Sequence, residues 1–226
     1  MSGILYIVAT PIGNLEDITL RALNVLKEVD FVAAEDTRRT LPLLTHFGIQ
    51  KKVLSYFEYS KQKRQDQILN LLEEGENGAL LCDAGTPTLS DPGARLIGQC
   101  WGRGISVVPI PGPSALLSAL AVAGMPTEPL HFWGFLPPTR SKREKIYAWI
   151  EELEGTHALY ESCHRIVKRV TEWEGRFAGF HLFVGREMTK KFEQFWRGTV
   201  TEVAPAMRSA EHRGEFTVLF SRKIFP

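Results

Sequence analysis

The first half of this 226-residue chain is built from short apolar runs without internal alternation, each ending in a loop of small residues, with acids in two of the four. Ile4 to Ala9, Phe31 to Ala34, the run from Leu80 into Cys82, and Ile105 to Val108 are of this kind. A strand apolar at every position must be covered on both faces. In a sheet of this size, that means parallel strands with helices packed on either side. The intervening segments fit the helical part. Asp17 is expected to cap a helix carrying Ile18, Leu20, Leu23 and Leu26, and Ser60 to Glu74 reads as a second helix stopping at Gly75. In an open parallel sheet the ligand lies beyond the carboxyl ends of the strands. Four loops stand at such ends: 9–14, 34–38, 83–93 and 109–114.

The third of these is the most informative. LLCDAGTPTLSDPG (80–93) places Asp83 at a strand end, followed by Ala84, Gly85 and Thr86, which are small enough to let a ligand approach the backbone. Asp91 is expected to be a helix N-cap, with Pro92 at the first helical position. The loop patterns exclude several chemistries. No GxGxxG, no GxxxxGK[ST] and no GxSxG is present, which argues against a Rossmann dehydrogenase, a P-loop NTPase and an α/β-hydrolase.

Beyond Gly124 the texture changes. Residues 124–129 (GMPTEP) read as a boundary, which gives an N-terminal α/β domain over 1–124 and a C-terminal α/β domain over 125–226. Ser141 and Glu144 are expected to form a capping box for a helix running through Leu153. Strands are expected at His157 to Tyr160, His181 to Val184, Phe192 to Trp196 and Glu215 to Phe220, in a sheet with antiparallel pairs. The fold class is therefore α/β in two domains: a mainly parallel N-terminal sheet, a mixed C-terminal sheet, and a cleft between them.

Charge and cysteine content narrow the partners. Lys and Arg number 27 against 26 Asp and Glu, so any nucleic-acid contact must be local rather than global. Cys82, Cys100 and Cys163 have no paired spacing, which points to a reducing compartment and implies no metal site. The longest apolar stretch, Ile105 to Gly124, is broken by Pro109, Pro111 and Pro113, and a soluble cytoplasmic protein is expected. Basic clusters at 61–64, at 140–145, and at Arg165, Lys168 and Arg169 are possible RNA contacts, with Tyr56, Phe57 and Tyr59 available to stack a base. Solvated helix faces explain such clusters equally well. The aromatics Phe192, Phe195 and Trp196 can belong to a core or to an interface.

Seven stretches, in order, resemble the tetrapyrrole methylase superfamily and, more narrowly, its ribosomal RNA small-subunit methyltransferase I branch. They are VATPIGNLEDITLRAL (8–23), AAEDTR (33–38), LCDAGTPTLSDPG (81–93), PIPGPSALLSALAVAG (109–124), FWGFLPP (132–138), ALYESCHR (158–165) and GREMTKKFE (185–193). The resemblance implies two α/β domains. It also implies methyl transfer from S-adenosylmethionine to the 2′-hydroxyl of a cytidine in the decoding region of small-subunit (16S) rRNA, with the donor between the lobes. By position, Ile12, Gly13, Asp83, Thr86, Ser114, Ala115 and Tyr160 would neighbour the donor. Asp83 suits a donor hydroxyl or ammonium, and the helix start at Ser114 suits its carboxylate. Glu35, Asp36, Arg38, Glu161, His164, Arg186, Glu187 and Lys190 are candidates for the acceptor side. Of these, Asp36 or Glu187 is expected to assist proton removal, and Arg38 and Lys190 to hold phosphates. Surface ion pairing is the alternative for each, and for His164 a helix-terminal hydrogen bond.

Two departures from the family pattern stand out. Cys163 replaces the proline of YESPHR, and the chain ends at Pro226, where many relatives continue into a helical extension. The resemblance also implies a homodimer. Two rival functions remain: a small-molecule methyltransferase acting on a corrin or porphyrin precursor, and a non-catalytic donor-binding protein associated with the ribosome.

Overall fold

The apolar runs of the first half pair side by side in one direction. β1 (Ile4–Val8), β2 (Phe31–Ala34), β3 (Lys52–Ser55), β4 (Gly78–Leu81) and β5 (Ser106–Ile110) form a sheet of order β3-β2-β4-β1-β5, with every pairing parallel. β2 and β4 are buried at every position, which is why they read as unbroken apolar runs. The computed structural model describes residues 2–57 and 62–225. Alternate side chains of each strand feed opposite faces. Val8, Val32 and Leu81 join Ala22 and Leu26 of α1 (Leu20–Glu28) and Leu44 of α2 (Thr37–His46) in one core. Leu5, Phe31 and Leu80 join Ile68, Leu69 and Leu72 of α3 (Gln62–Glu73) and Leu96 of α4 (Ala94–Gly102) in the other. The parallel sheet is thus covered on both faces, as expected.

Several local expectations are corrected. Asp17 ends a short 3-10 turn (Leu15–Asp17) and does not cap α1. Thr19 does so, its hydroxyl accepting the Ala22 N–H at 3.1 Å. The hydroxyl next to the first helical residue is better placed than a carboxylate three residues ahead of it. Asp91 does not cap α4 either: Gly93 occupies that position, at φ +139°, with no side-chain cap. Residues 60 and 61, where the second expected helix and one basic cluster began, lie outside the described residues, as does Tyr59. α2 and β3 went unread because Pro42 interrupts one pattern and Lys51 and Lys52 open the other.

The second sheet is mixed. β6 (Leu130–Phe135), β7 (Thr156–Ser162), β8 (His181–Arg186), β9 (Gln194–Thr199) and β10 (Glu215–Ser221) run in the order β6-β7-β10-β8-β9. Only the β6–β7 pair is parallel. Its core gathers Trp173 and Phe177 around α7 (Ile166–Arg176) with Ile150 of α6 (Arg140–Glu152), Phe220 and Leu182, and with Val203 of α8 (Val200–Ser209). The expected Ser141–Glu144 capping box is absent. Thr139 stands at the N-cap of α6 without a side-chain bond, while Glu144 pairs with Arg140 and Arg176. The capping box of this unit is Thr199 with Glu202, at the start of α8.

The chain divides into two compact units, Met1–Ser114 and Ala115–Pro226. From sequence the boundary is expected after Gly124. The helix between, α5 (Ala115–Ala123), packs on β8 and β10, and Arg197 of β9 donates to the Ala123 carbonyl at 2.9 Å. Those contacts group α5 with the second unit.

Candidate active site

At the carboxyl edge of the parallel sheet, backbone hydrogen bonds tie the expected loops together. Thr10 and Gly85 exchange two of them, Thr10 N–H to Gly85 O at 2.9 Å and Gly85 N–H to Thr10 O at 3.0 Å. The Thr86 hydroxyl donates to the Pro113 carbonyl at 3.1 Å. Gly85 sits at φ +84°, where a side chain is strained, and a Cβ there would meet Ile12 at 3.4 Å. The loops after β1, β4 and β5 therefore form one continuous rim. The loop after β2 joins it through Asp83, whose Oδ1 accepts the Asp36 N–H at 3.1 Å and whose Oδ2 pairs with Arg39 Nε at 3.3 Å.

The acids at this edge differ sharply in character. Asp36 is the N-cap of α2, accepting the Arg38 N–H at 2.9 Å, and Arg38 Nη2 reaches its other oxygen at 2.7 Å. Those bonds from Arg38 pull the Asp36 pKa down to about 2, which makes it a weak base. Glu35 is the opposite case. Burial first, then the charges of Asp91 and Asp83, raise its pKa, and its Oε2 is buried without a partner among the described residues. Asp91, turned inward instead of capping, lies against the Cys82 thiol. Burial and the Asp83 charge push it up to about 6. The sequence does not reveal this half-buried acid, because an Asp-Pro-Gly triplet imitates a helix start.

The residues assigned to the donor fall into two groups. Ile12, Gly13, Asp83, Thr86 and Ser114 lie on the rim of the first unit. Ile12 is buried and Gly13 exposed. Ser114, immediately before α5, is buried, and its hydroxyl has no partner among the described residues. Ala115 opens α5, and Tyr160 lies on β7, its ring against Phe132 and Phe135 at 5.0 and 5.6 Å between centroids. Free amides at a helix N-terminus suit an anionic group such as a carboxylate.

In the second unit, Glu187 stands in the left-handed region at φ 49° and accepts from Lys190 Nζ at 2.8 Å and from the Glu215 N–H at 3.0 Å. These bonds outweigh burial and hold its pKa below the usual range. Lys190 also pairs with Glu215 at 2.8 Å, and the two carboxylates keep its pKa raised against burial. Arg186 is buried and donates to the Arg213 carbonyl at 2.7 Å and to Gln194 at 2.8 Å, which makes it a brace for this loop. His164 is exposed in the β7–α7 turn. Glu161 is fully buried between Arg165 Nε at 2.7 Å and Arg169 Nε at 3.3 Å, a structural clamp of α7 onto β7. Of the aromatics offered for stacking, Tyr56 is buried and accepts from Gln65, whereas Phe57 is exposed. Among the described residues no group of acids, histidines and cysteines is arranged to hold a metal, and no helix is long and apolar enough to cross a membrane.

A parallel α/β unit with its loops gathered at one edge, followed by a mixed-sheet unit, defines the class. A family model described as Tetrapyrrole (Corrin/Porphyrin) Methylases matches residues 4–204, and the chain belongs to that family. Solved structures share the fold. A diphthine synthase superposes with TM-score 0.77 at 12% identity, over 99% of this chain and 92% of that one. A cobalt precorrin-4 methyltransferase does so with TM-score 0.72 at 21% identity, over 99% and 96%. Nearer in sequence are proteins named Ribosomal RNA small subunit methyltransferase I. The one from Thermotoga maritima is 44% identical over 98% of this chain and 99% of its own length. The one from Halalkalibacterium halodurans is 43% identical over 96% of this chain and 75% of its own. Within the family, the chain falls in this methyltransferase I branch and is a methyltransferase that draws on a methyl donor.

Proposed function

We propose that the chain transfers the methyl group of S-adenosylmethionine to the ribose 2′-hydroxyl of a cytidine in the decoding region of small-subunit rRNA. The observation that carries this reading is the 44% identity to the Thermotoga maritima protein over nearly the whole of both chains. The rival tetrapyrrole reading has behind it the description of the family model and solved structures such as the cobalt precorrin-4 methyltransferase, at 21% identity.

The donor supplies a methyl group already activated on a sulfonium. What remains for the protein is to bind, to align the acceptor and to take up a proton. In this reading Ser114 and the N-terminus of α5, opened by Ala115, hold the donor carboxylate. Asp83 retains free lone pairs for a donor hydroxyl or ammonium, Thr86, Ile12 and Gly13 shape the loop around it, and Tyr160 completes the set. Asp36 or Glu187 was the sequence expectation for the proton acceptor. Glu35, with its raised pKa and unpartnered buried oxygen, is the better base than Asp36. Arg38, exposed beside Asp36, and Lys190 are suited to phosphates, and His164 to the acceptor strand. The small ribosomal subunit as partner, a cytoplasmic setting and a homodimer belong to the same reading. Exposed Phe192 and Phe195, the latter on the edge strand β9, support the dimer.

The test is incubation with methyl-labelled S-adenosylmethionine and either isolated small subunits or a tetrapyrrole precursor. Label recovered as 2′-O-methylcytidine supports the proposal. Label in the macrocycle, in a base, or donor binding without transfer each overturns it.

A further inference from the structure

Beside Asp83, on its α2 side, the first unit contains a cavity of about 330 Å³. Pro11 and Leu15 contribute to its wall from the loop after β1, and Pro42 and Leu43 from α2, with Arg39 among the polar lining. His46, exposed in the last turn of α2, is also at the wall. Of the donor residues in this unit only Asp83 lines the cavity; Ile12, Gly13, Thr86 and Ser114 do not. The cavity therefore adjoins the donor rim without coinciding with it.

We propose that this cavity receives the single RNA nucleotide bearing the acceptor hydroxyl, with Arg39 on its phosphate. The inference rests on the rRNA reading above and names the pocket that reading lacks. Sequence-specific RNA contacts use splayed, unstacked bases that stack on aromatic or histidine rings or on arginine planes. His46 supplies a ring and Arg39 a guanidinium plane at the wall, and Pro11, Leu15, Pro42 and Leu43 give apolar contact around them. The volume stands at the low end of the range for small-ligand sites, about 300–1,000 Å³, which suits one nucleoside and is small for a macrocycle. Arg39 engages Asp83 through Nε alone. Its terminal nitrogens have no partner among the described residues, and its side chain is 64% exposed. An arginine so held is pre-oriented, with its remaining N–H groups free for a phosphate. Asp83 then touches both sites, which brings the acceptor next to the methyl donor.

Two variants test this in the full-length protein with S-adenosylmethionine and isolated small subunits. Leu15→Trp fills the cavity from an exposed position, and Arg39→Gln removes the phosphate contact. For Leu15→Trp, KM for subunits is expected to rise about tenfold, and for Arg39→Gln about fivefold, while donor affinity by calorimetry stays within about twofold. A parallel loss of donor affinity in Leu15→Trp overturns the inference by making the cavity the donor's own. Wild-type KM in both variants overturns it by leaving the cavity idle. If Leu15→Trp does not fold, Arg39→Gln decides alone. Failure of the wild-type protein to methylate subunit ribose removes the functional reading and this inference together. Active wild type with silent variants removes the inference only.

Discussion

Replacing Asp91 by asparagine is expected to stabilise the protein at neutral pH and to leave its stability unchanged in acid. Burial and the neighbouring Asp83 raise the Asp91 carboxyl from 3.8 to about 6 in the folded chain. At about 1.4 kcal/mol per unit, a shift of roughly two units is worth about 3 kcal/mol in a dry site. Asp91 is partly open to solvent, so screening roughly halves this, to about 1.5 kcal/mol. The sign follows from proton linkage. Below the unfolded pKa the carboxyl is protonated in both states and its ionisation costs nothing. As pH rises from 3.8 to about 6, the unfolded chain ionises first and the folded state loses stability; above that the penalty is constant. Asparagine keeps the shape and never ionises. Thermal melts of both proteins at about pH 3 and about pH 7.5 should show a gap opening only at the higher value. With about 2–4 °C per kcal/mol at this chain length, Asp91→Asn should melt roughly 3–6 °C higher there. An equal gap at both pH values, or a less stable variant at pH 7.5, would refute the buried-acid argument.

Glu161→Ala should cost about 2–3 kcal/mol in urea denaturation, because it unpairs Arg165 and leaves the buried Arg169 with Glu172 alone, at 2.8 Å. An exposed-pair effect below about 1 kcal/mol would contradict the clamp. Thr199→Ala, which removes a formed capping box, should destabilise by about 1 kcal/mol. Ser141→Ala should be silent to within about 0.5 kcal/mol, because α6 has no cap from that side chain. The two measured together separate a capping motif in sequence from a cap in the fold.

Strand identity, the two-unit α/β fold and the family were legible because each rests on a signal carried along the chain. A strand buried on both faces has to be apolar at every position, and β2 and β4 are. The rim loops were legible because a parallel sheet sends all its strand ends to one edge. The caps were not. Whether Asp17, Asp91 or Ser141 reaches a free amide depends on the angle at which the chain enters the helix, and the residues that actually stand there are Thr19, Gly93 and Thr139. Helix α2 was hidden by Pro42, whose cost is offset by Leu44 in the core.

The acids of the site show the same division. Sequence alone determined that Glu35, Asp36, Asp83 and Asp91 sit at strand ends and loops, and that the motifs carrying them belong to a methylase. Only the tertiary structure decided which of them is a spent carboxylate, held by Arg38, and which are pushed toward neutrality by burial and by one another. It likewise turned Glu161 of a catalytic-looking motif into a buried clamp. Charge is a property of the residue, but the free energy of that charge depends on distance and solvent. Both are fixed only when segments remote in sequence are packed together.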